Sequence, residues 1–383
     1  MKKKFLIVST ISTTLNFFEG QVKFLNNYFD VELVTSPDDV LDFVSKREGV
    51  KVHPVKMMRD ISPIQDLKSL YRLVMLFKKI KPHVVHGNTP KGGLLSMTAA
   101  WLTRVPVRIY YIHGLRFEGD AGLKRKILLS IERMSCYFAT DIIAVSHGVK
   151  KNLKEQNITS KTPYIIGNGS ANGINGEVFS VEAVDPDQNT KNQIRESDIV
   201  FGYVGRLVKD KGVNELVRVF SQLNKMYKNT KLLLVGWYEQ DLDPLDKDVE
   251  NEINENDNII AVGGQNDVRP FLKLMDIFVF PSYREGFGVS VMEAAAMDLP
   301  IICSNITGCN EIVKHNYNGL LVDSKSESSL LEAMTYLLEN PKQTDKLRQV
   351  TRKHILEKYN QQMVWQEAAK TYKTITEANF DIV

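Results

Sequence analysis

Cysteine is nearly absent from this chain: Cys136, Cys303 and Cys309 are the three in 383 residues, and no two form a CxxC pair. That is too few for a disulfide framework, and the pattern reads as reduced thiols in a cytosolic protein. Long apolar runs are also missing. No stretch approaches the roughly 18 residues of a membrane span, which excludes an integral membrane protein. The opening MKKKFLIVSTISTTLNFFEG carries three lysines before an apolar run, but that run ends at Val8. Ser9, Thr10, Ser12, Thr13 and Thr14 follow, with no small-x-small cleavage site, so a first buried strand entering a loop is expected, not a secretory signal. The Asn-x-Ser/Thr triplets at Asn157, Asn168 and Asn305 then lack the export that glycosylation needs. Repeats of about 20–50 residues and low-complexity tracts are missing too, which excludes solenoids.

What is present is ordinary for a globular protein: 43% hydrophobic and 25% charged residues, in a chain long enough for two domains. The net charge of +3 hides a polarity. Residues 1–180 hold 26 Lys+Arg against 15 Asp+Glu, and residues 181–383 hold 23 against 31. A basic half can face an anionic surface or nucleic acid, or simply carry solvated charge. Lys56, Arg59, Lys68, Arg72, Lys78, Lys79 and Lys81 gather in one segment with Met57, Met58, Leu70, Leu73, Met75, Leu76 and Phe77. Basic and apolar residues so interleaved suit a helix lying on an anionic bilayer, or a normal helix with one face in a core. No nucleic-acid-binding motif accompanies them.

Both halves alternate short apolar runs with longer helical patterns, which predicts α/β architecture with parallel sheets. In the first half the expected strands are Lys4–Ser9, Val31–Thr35, Val84–Gly87, Val107–Ile112, Ile142–Val145 and Pro163–Ile166. Helical spacing fills Phe17–Tyr28, Asp66–Ile80, Gly92–Thr103 and Leu123–Ala139. Residues 167–198 are rich in Gly, Asn, Ser, Asp and Pro, placing a boundary near 180. The second half restarts with strands at Ile199–Val204, Lys231–Val235, Ile259–Val262, Ile277–Phe280, Pro300–Cys303 and Gly319–Val322. Domains are therefore expected at 1–180 and 181–360. The final pattern, 361–383, is expected to form a helix that crosses back to brace the first half.

Two loops carry the chemistry. Gly205-Arg206-Leu207-Val208-Lys209-Asp210-Lys211-Gly212 lies between a strand and a helix, at the carboxyl end where open α/β sheets bind ligands. A guanidinium fork and an ammonium there suit a diphosphate whose charge grows as a bond to it breaks. The second, Pro281-Ser282-Tyr283-Arg284-Glu285-Gly286-Phe287-Gly288-Val289-Ser290, also follows a strand and enters an Ala-rich helix holding Glu293. Its glycines free backbone N–H groups at a helix start, an anion site. Glu285 at the loop can reach substrate hydroxyls, and Glu293 inside the helix can accept both hydroxyls of a ribose. His113 follows the strand RIYYI and precedes Gly114; His147, also before a glycine, is its competitor. Asp241-Leu242-Asp243 spells the Asp-x-Asp of metal-dependent transferases, but lies in an acidic run without Gly-rich apolar support. No metal site is assigned, because a basic clamp supplies the charge.

In order along the chain, these features resemble glycosyltransferase family 4, retaining enzymes of the GT-B fold. The resemblance rests on Gly205-Arg206 with Lys211-Gly212, Glu285 with Glu293 and Asp276 with Pro281-Ser282. Pro300, Gly308 with Glu311, Asn318-Gly319, His113-Gly114, Val145-Ser146 and Asn172-Gly173-Ile174 add to it. It implies two Rossmann-like domains facing each other across a cleft. It implies too that Arg206 and Lys211 bind the donor diphosphate, Glu293 the ribose and Glu285 the transferred sugar. Backbone N–H groups of Phe287, Gly288, Val289 and Ser290 would hold the distal phosphate, and His113 would stand beside the reacting sugar. The chain departs from many relatives in its first loop, Ser9–Leu15, where they carry a Gly-Gly pair; hydroxyls stand there instead.

The expected activity is transfer of a sugar from a nucleoside diphosphate sugar, UDP before GDP, to an acceptor hydroxyl with retention. His113–Arg116 and the GNGSANGIN stretch look similar to bacterial polysaccharide-assembly transferases acting on undecaprenyl-diphosphate-linked sugars. The expected place is the cytoplasm, peripheral to the inner face of the membrane. A nucleotide-sugar 2-epimerase of similar fold and a transferase using a soluble acceptor are the alternatives.

Overall fold

The computed structural model describes residues 2–58, 62–239 and 243–380. Among them the apolar runs form two six-stranded parallel sheets. The first comprises β1 (Lys4–Val8), β2 (Asp30–Thr35), β3 (Val52–Pro54), β4 (Val84–Asn88), β5 (Val107–Ile112) and β6 (Asp141–Ala144), in the order β3-β2-β1-β4-β5-β6. The second comprises β7 (Ile199–Val204), β8 (Thr230–Val235), β9 (Ile259–Ala261), β10 (Ile277–Phe280), β11 (Ile301–Ser304) and β12 (Gly319–Val322). Its order is β12-β11-β10-β7-β8-β9. Central strands such as β1, β4 and β10 are buried along nearly their whole length, as strands covered by helices on both faces must be.

Each sheet reverses its strand order once, between β1 and β4 in the first and between β7 and β10 in the second. At such a reversal the helices that follow the two strands leave to opposite faces, opening a crevice beyond their carboxyl ends. The two motif-bearing loops follow β7 and β10.

The chain divides into a unit of residues 1–173 with 361–383 and a second of residues 174–360. The terminal helix Gln361–Phe380 buries Val364, Ala368, Tyr372 and Ile375 in the first unit. Trp365 Nε1 donates to Asn172 Oδ1 at 2.6 Å, and Asn379 Nδ2 to Asp141 Oδ2 at 2.9 Å.

Two local expectations are corrected, and some elements were not foreseen. Pro163–Ile166 is no strand; Tyr164 makes a single parallel bridge to Ile143. The helix expected over Phe17–Tyr28 is a 3₁₀ segment, Ser12–Phe18, and a short helix, Gln21–Leu25, broken by Gly20 at φ +73°. β3 and the helices Leu41–Glu48, His147–Glu155 and Lys247–Glu255 were not foreseen. In the basic segment, Met57, Leu73 and Phe77 are core. The exposed apolar side chains of the helix Pro63–Ile80 are Ile64, Leu67, Tyr71 and Met75, spaced along one stripe. Arg59 lies outside the described residues.

Candidate functional site

In the second unit, the loops after β7 and β10 lie against each other. Tyr283 N donates to Asp210 O at 2.9 Å, and Arg284 Nη2 reaches Asp210 Oδ2 at 2.8 Å. Gly212, at φ +70°, permits this approach: a Cβ there would stand 2.1 Å from Pro281 O. Asp276, one residue before β10, works as a staple, its carboxylate accepting from Val200 N at 2.9 Å. Asn318 likewise accepts from Lys314 N at 2.7 Å, a structural duty for a motif residue.

Lys211 Nζ sits 2.5 Å from Glu285 Oε1, with both side chains more than four-fifths buried. Ser282 Oγ, wholly buried, donates to the same oxygen at 3.1 Å. Both bonds fall on Oε1. Arg206 is paired with Glu239, and its carbonyl accepts from Tyr203 OH at 2.8 Å. Glu239 was not foreseen, because only the fold brings it to Arg206; Ser282's bond to Glu285 is local, between residues of one loop. Arg206 and Lys211 are thus held by carboxylates rather than standing bare. An incoming diphosphate would meet a site whose positive charge is already positioned.

Glu293 lies in the helix Val289–Ala296, and its carboxylate makes no hydrogen bond among the described residues. Although part of its surface reaches solvent, desolvation by the surrounding protein pushes its carboxyl up to about 7, and the charge of Asp267 adds to the shift. An acid poised there wants donors, which ribose hydroxyls are. Phe287 is buried edge-on to Tyr359 at 5.3 Å, so only its backbone faces ligand chemistry. Gly288 precedes the helix, and the first-turn N–H groups of Val289 and Ser290 have no partner four residues back. Val289 N turns instead to Phe287 O at 2.9 Å.

Asp243 has structural work: its Oδ2 accepts from Asp210 N at 2.7 Å, tying down the loop that carries Lys211. Asp241 and Leu242 lie outside the described residues. No cluster of three or more His, Cys, Asp or Glu able to hold a metal occurs among the described residues.

In the first unit, His113 ends β5 in a cage of rings: Tyr111 at 4.4 Å, Phe17 at 5.1 Å and Phe18 at 5.6 Å. Its Nε2 lies 3.0 Å from Asn88 Oδ1. The Asn88 amide donates in turn to His86 Nδ1 at 3.1 Å, and His86 Nε2 lies 3.1 Å from Tyr372 OH. An amide oxygen can only accept, so His113 carries its proton on Nε2 and keeps a lone pair on Nδ1. Desolvation lowers its pKa to about 4, and that of His86 to about 3, so both rings are neutral near pH 7. His147 begins a helix and is exposed, outside this relay.

The family description "Glycosyltransferase Family 4" matches residues 23–170, and "Glycosyl transferases group 1" matches residues 184–354. The chain is 32% identical to the capsular polysaccharide biosynthesis glycosyltransferase CapM of Staphylococcus aureus, over 97% of each chain. The chain belongs to the GT-B glycosyltransferases of the family 4 type. This glycosyltransferase is also 28% identical to the Escherichia coli UDP-Gal:alpha-D-GlcNAc-diphosphoundecaprenol alpha-1,3-galactosyltransferase, over 82% of this chain and 81% of the other. Its fold matches that of Anabaena HepE, crystallised with UDP and glucose, with a TM-score of 0.81 at 17% identity, over 97% of this chain and 100% of HepE. The activity class is therefore sugar transfer, and the two sheets are its two Rossmann-like domains.

Proposed function

We propose that this glycosyltransferase moves a sugar from a UDP-sugar to a hydroxyl of a lipid-diphosphate-linked saccharide, with retention of configuration, during assembly of a bacterial surface polysaccharide. The observation that carries the donor side is the Lys211–Glu285 pair at the reversal of the second sheet, with Arg206 on the same loop. Arg206 and Lys211 clamp the diphosphate, and the N–H groups of Phe287–Ser290 take its distal phosphate. Glu293 accepts from the ribose, Glu285 contacts the transferred sugar through its remaining oxygen, and neutral His113 serves that sugar. As the anomeric C–O bond breaks, charge builds on the leaving phosphate, and the clamp stabilises it more than it does the bound donor. That phosphate oxygen takes the acceptor's proton while the acceptor oxygen bonds to the same face of the sugar. No metal is needed for this.

The acceptor rests on the relatives: CapM builds capsular polysaccharide, and the E. coli enzyme acts on a diphosphoundecaprenol sugar. A peripheral place on the inner membrane face fits such a substrate. No described helix is long and apolar enough to cross a membrane, while the helix Pro63–Ile80 exposes apolar and basic side chains together. The test is a panel of UDP- and GDP-sugars with prenyl-diphosphate saccharides, read by mass spectrometry with and without excess EDTA. Transfer from a UDP-sugar with the α linkage kept, undiminished by EDTA, is expected. Conversion of a nucleotide sugar without acceptor, or restoration by Mg²⁺ or Mn²⁺ after loss in EDTA, would overturn the reading.

A further inference from the structure

The first sheet has a strand reversal of its own, and the loops beside it enclose a cavity of about 360 Å³. Thr10 and Thr14 line it from the loop after β1, Thr89 from the turn after β4, Lys91 from the start of the helix Pro90–Leu102, and Arg116 from beyond β5. The aliphatic part of the lining is made by Leu94, Leu95, Leu128 and Ile131.

The polar end is closely built. Thr10 Oγ1 and Thr89 Oγ1 lie 3.2 Å apart, and Gly92 N donates to Thr89 Oγ1 at 3.2 Å. A Cβ on Gly92 would stand 2.8 Å from that oxygen and 3.3 Å from Thr10 N. Thr89 sits at φ +64°, ψ 153°, a conformation a β-branched residue rarely adopts, and such strain gathers where a ligand is held. Lys91 Nζ pairs with Asp66 Oδ1 at 2.7 Å, so with Arg116 the cavity keeps an excess of positive charge. The hydroxyls that replace the usual Gly-Gly pair of the first loop therefore face this cavity.

We propose that the cavity seats the acceptor as a prenyl diphosphate saccharide. Its diphosphate lies against Thr10, Thr89, Lys91 and Arg116, and its first isoprene units lie on Leu94, Leu128 and Ile131. This deepens the function proposed above and rests on it for the reaction. A free phosphate would leave the aliphatic lining wet, and a plain alkyl chain would leave the cations without an anion. The source is a lipid, because the lining helices continue the apolar path outward. Ile64 and Leu67 flank Asp66 on the helix Pro63–Ile80, and Leu123 and Ile127 precede Leu128 on the helix Gly122–Phe138, all four exposed.

The test is binding of farnesyl diphosphate to the whole protein with UDP saturating, so that the donor site is filled. Inorganic diphosphate and farnesol are the control arms. Farnesyl diphosphate should bind at least about tenfold more tightly than either, because only it satisfies both parts of the lining. Lys91→Gln and Arg116→Gln should each weaken it about tenfold. Ile131→Asp should bring it down to the level of inorganic diphosphate, and UDP affinity should stay constant throughout. Arg116 is exposed, so its variant folds even if another does not. Equal binding of inorganic diphosphate, equal binding of farnesol, or wild-type affinity in both charge variants overturns the proposal. Failure of the parent reading looks different: the wild type would then bind no UDP and transfer no sugar, whatever it does with farnesyl diphosphate.

Discussion

At the scale of residues, the donor loop holds its charges in partnership, and that sets how they respond to change. Arg206→Ala or Lys211→Ala should each lower turnover by about 2–4 kcal/mol in barrier, since in the proposed reaction each charge meets the leaving diphosphate. Melting curves taken alongside should show the fold intact; near-normal turnover in both variants removes the clamp. Glu293 gives a pH test. Its carboxyl, pushed up to about 7, is largely protonated at pH 6, yet must be ionised to accept from two hydroxyls. UDP should therefore bind more tightly as pH rises from about 6 to 8 and release protons as it binds near pH 6, read by calorimetry in buffers of different ionisation enthalpy. Glu293→Gln should abolish both trends. Most of these side chains were legible in the sequence, because glycines and charges crowd two strand-to-helix loops. Their pairings were not: Glu239 holds Arg206 and Glu285 holds Lys211, contacts between residues far apart in the chain. The relay from His113 through Asn88 and His86 to Tyr372 was equally hidden, since its members come from β4, the end of β5 and the terminal helix.

Among the elements, the helix Gly122–Phe138 carries a cost that pH controls. Glu132 is 1% exposed, and desolvation raises its carboxyl from the ordinary 4.5 to about 7, while Tyr110 OH donates to it at 2.8 Å. A raised acid keeps its full contribution to stability below about pH 4.5 and loses it as pH climbs through 7. Glu132→Gln should thus gain on the order of 2–3 kcal/mol over the wild type at pH 8 and little at pH 4, measured by denaturant titration. The helix Pro63–Ile80 should bind anionic vesicles through the stripe Ile64, Leu67 and Tyr71 beside Lys68 and Arg72. Each cation adds roughly 1 kcal/mol near such a surface, screened over about 8–10 Å at physiological salt. Leu67→Glu with Tyr71→Glu should weaken vesicle binding and slow transfer to a lipid-linked acceptor while sparing slow donor hydrolysis. Equal binding to neutral and anionic vesicles would refute it. The sequence pattern had pointed to this helix with a bilayer face and a core face both open; Leu73 and Phe77 are its core contacts, while the exposed Ile64, Leu67 and Tyr71 were not singled out. Eleven of the twelve strands were legible as apolar runs; β3 was not, since only three residues pair and none is buried. The helix His147–Glu155 hid because HGVKKNLKE buries only Val149 and Leu153.

For the whole molecule, the alternation of strands and helices made the two sheets readable, and the restart of the pattern after residue 198 made their separation readable. The return of the terminal helix has a consequence for how the protein is made. The second unit is one unbroken stretch, residues 174–360, whereas the first needs residues 361–383 to be complete. Tyr372, buried and 3.1 Å from His86, fills space that no earlier residue occupies. On the ribosome, the half that emerges first must therefore wait for the last residues, and the half that emerges second can finish before it. A chain arrested after residue 360, with a tether long enough to clear the exit tunnel, should already bind UDP and resist protease over residues 174–360. Its first 173 residues should still be cut, and adding the terminal helix should protect them. A late frameshift in the gene would then damage the unit made first and leave the unit made second whole.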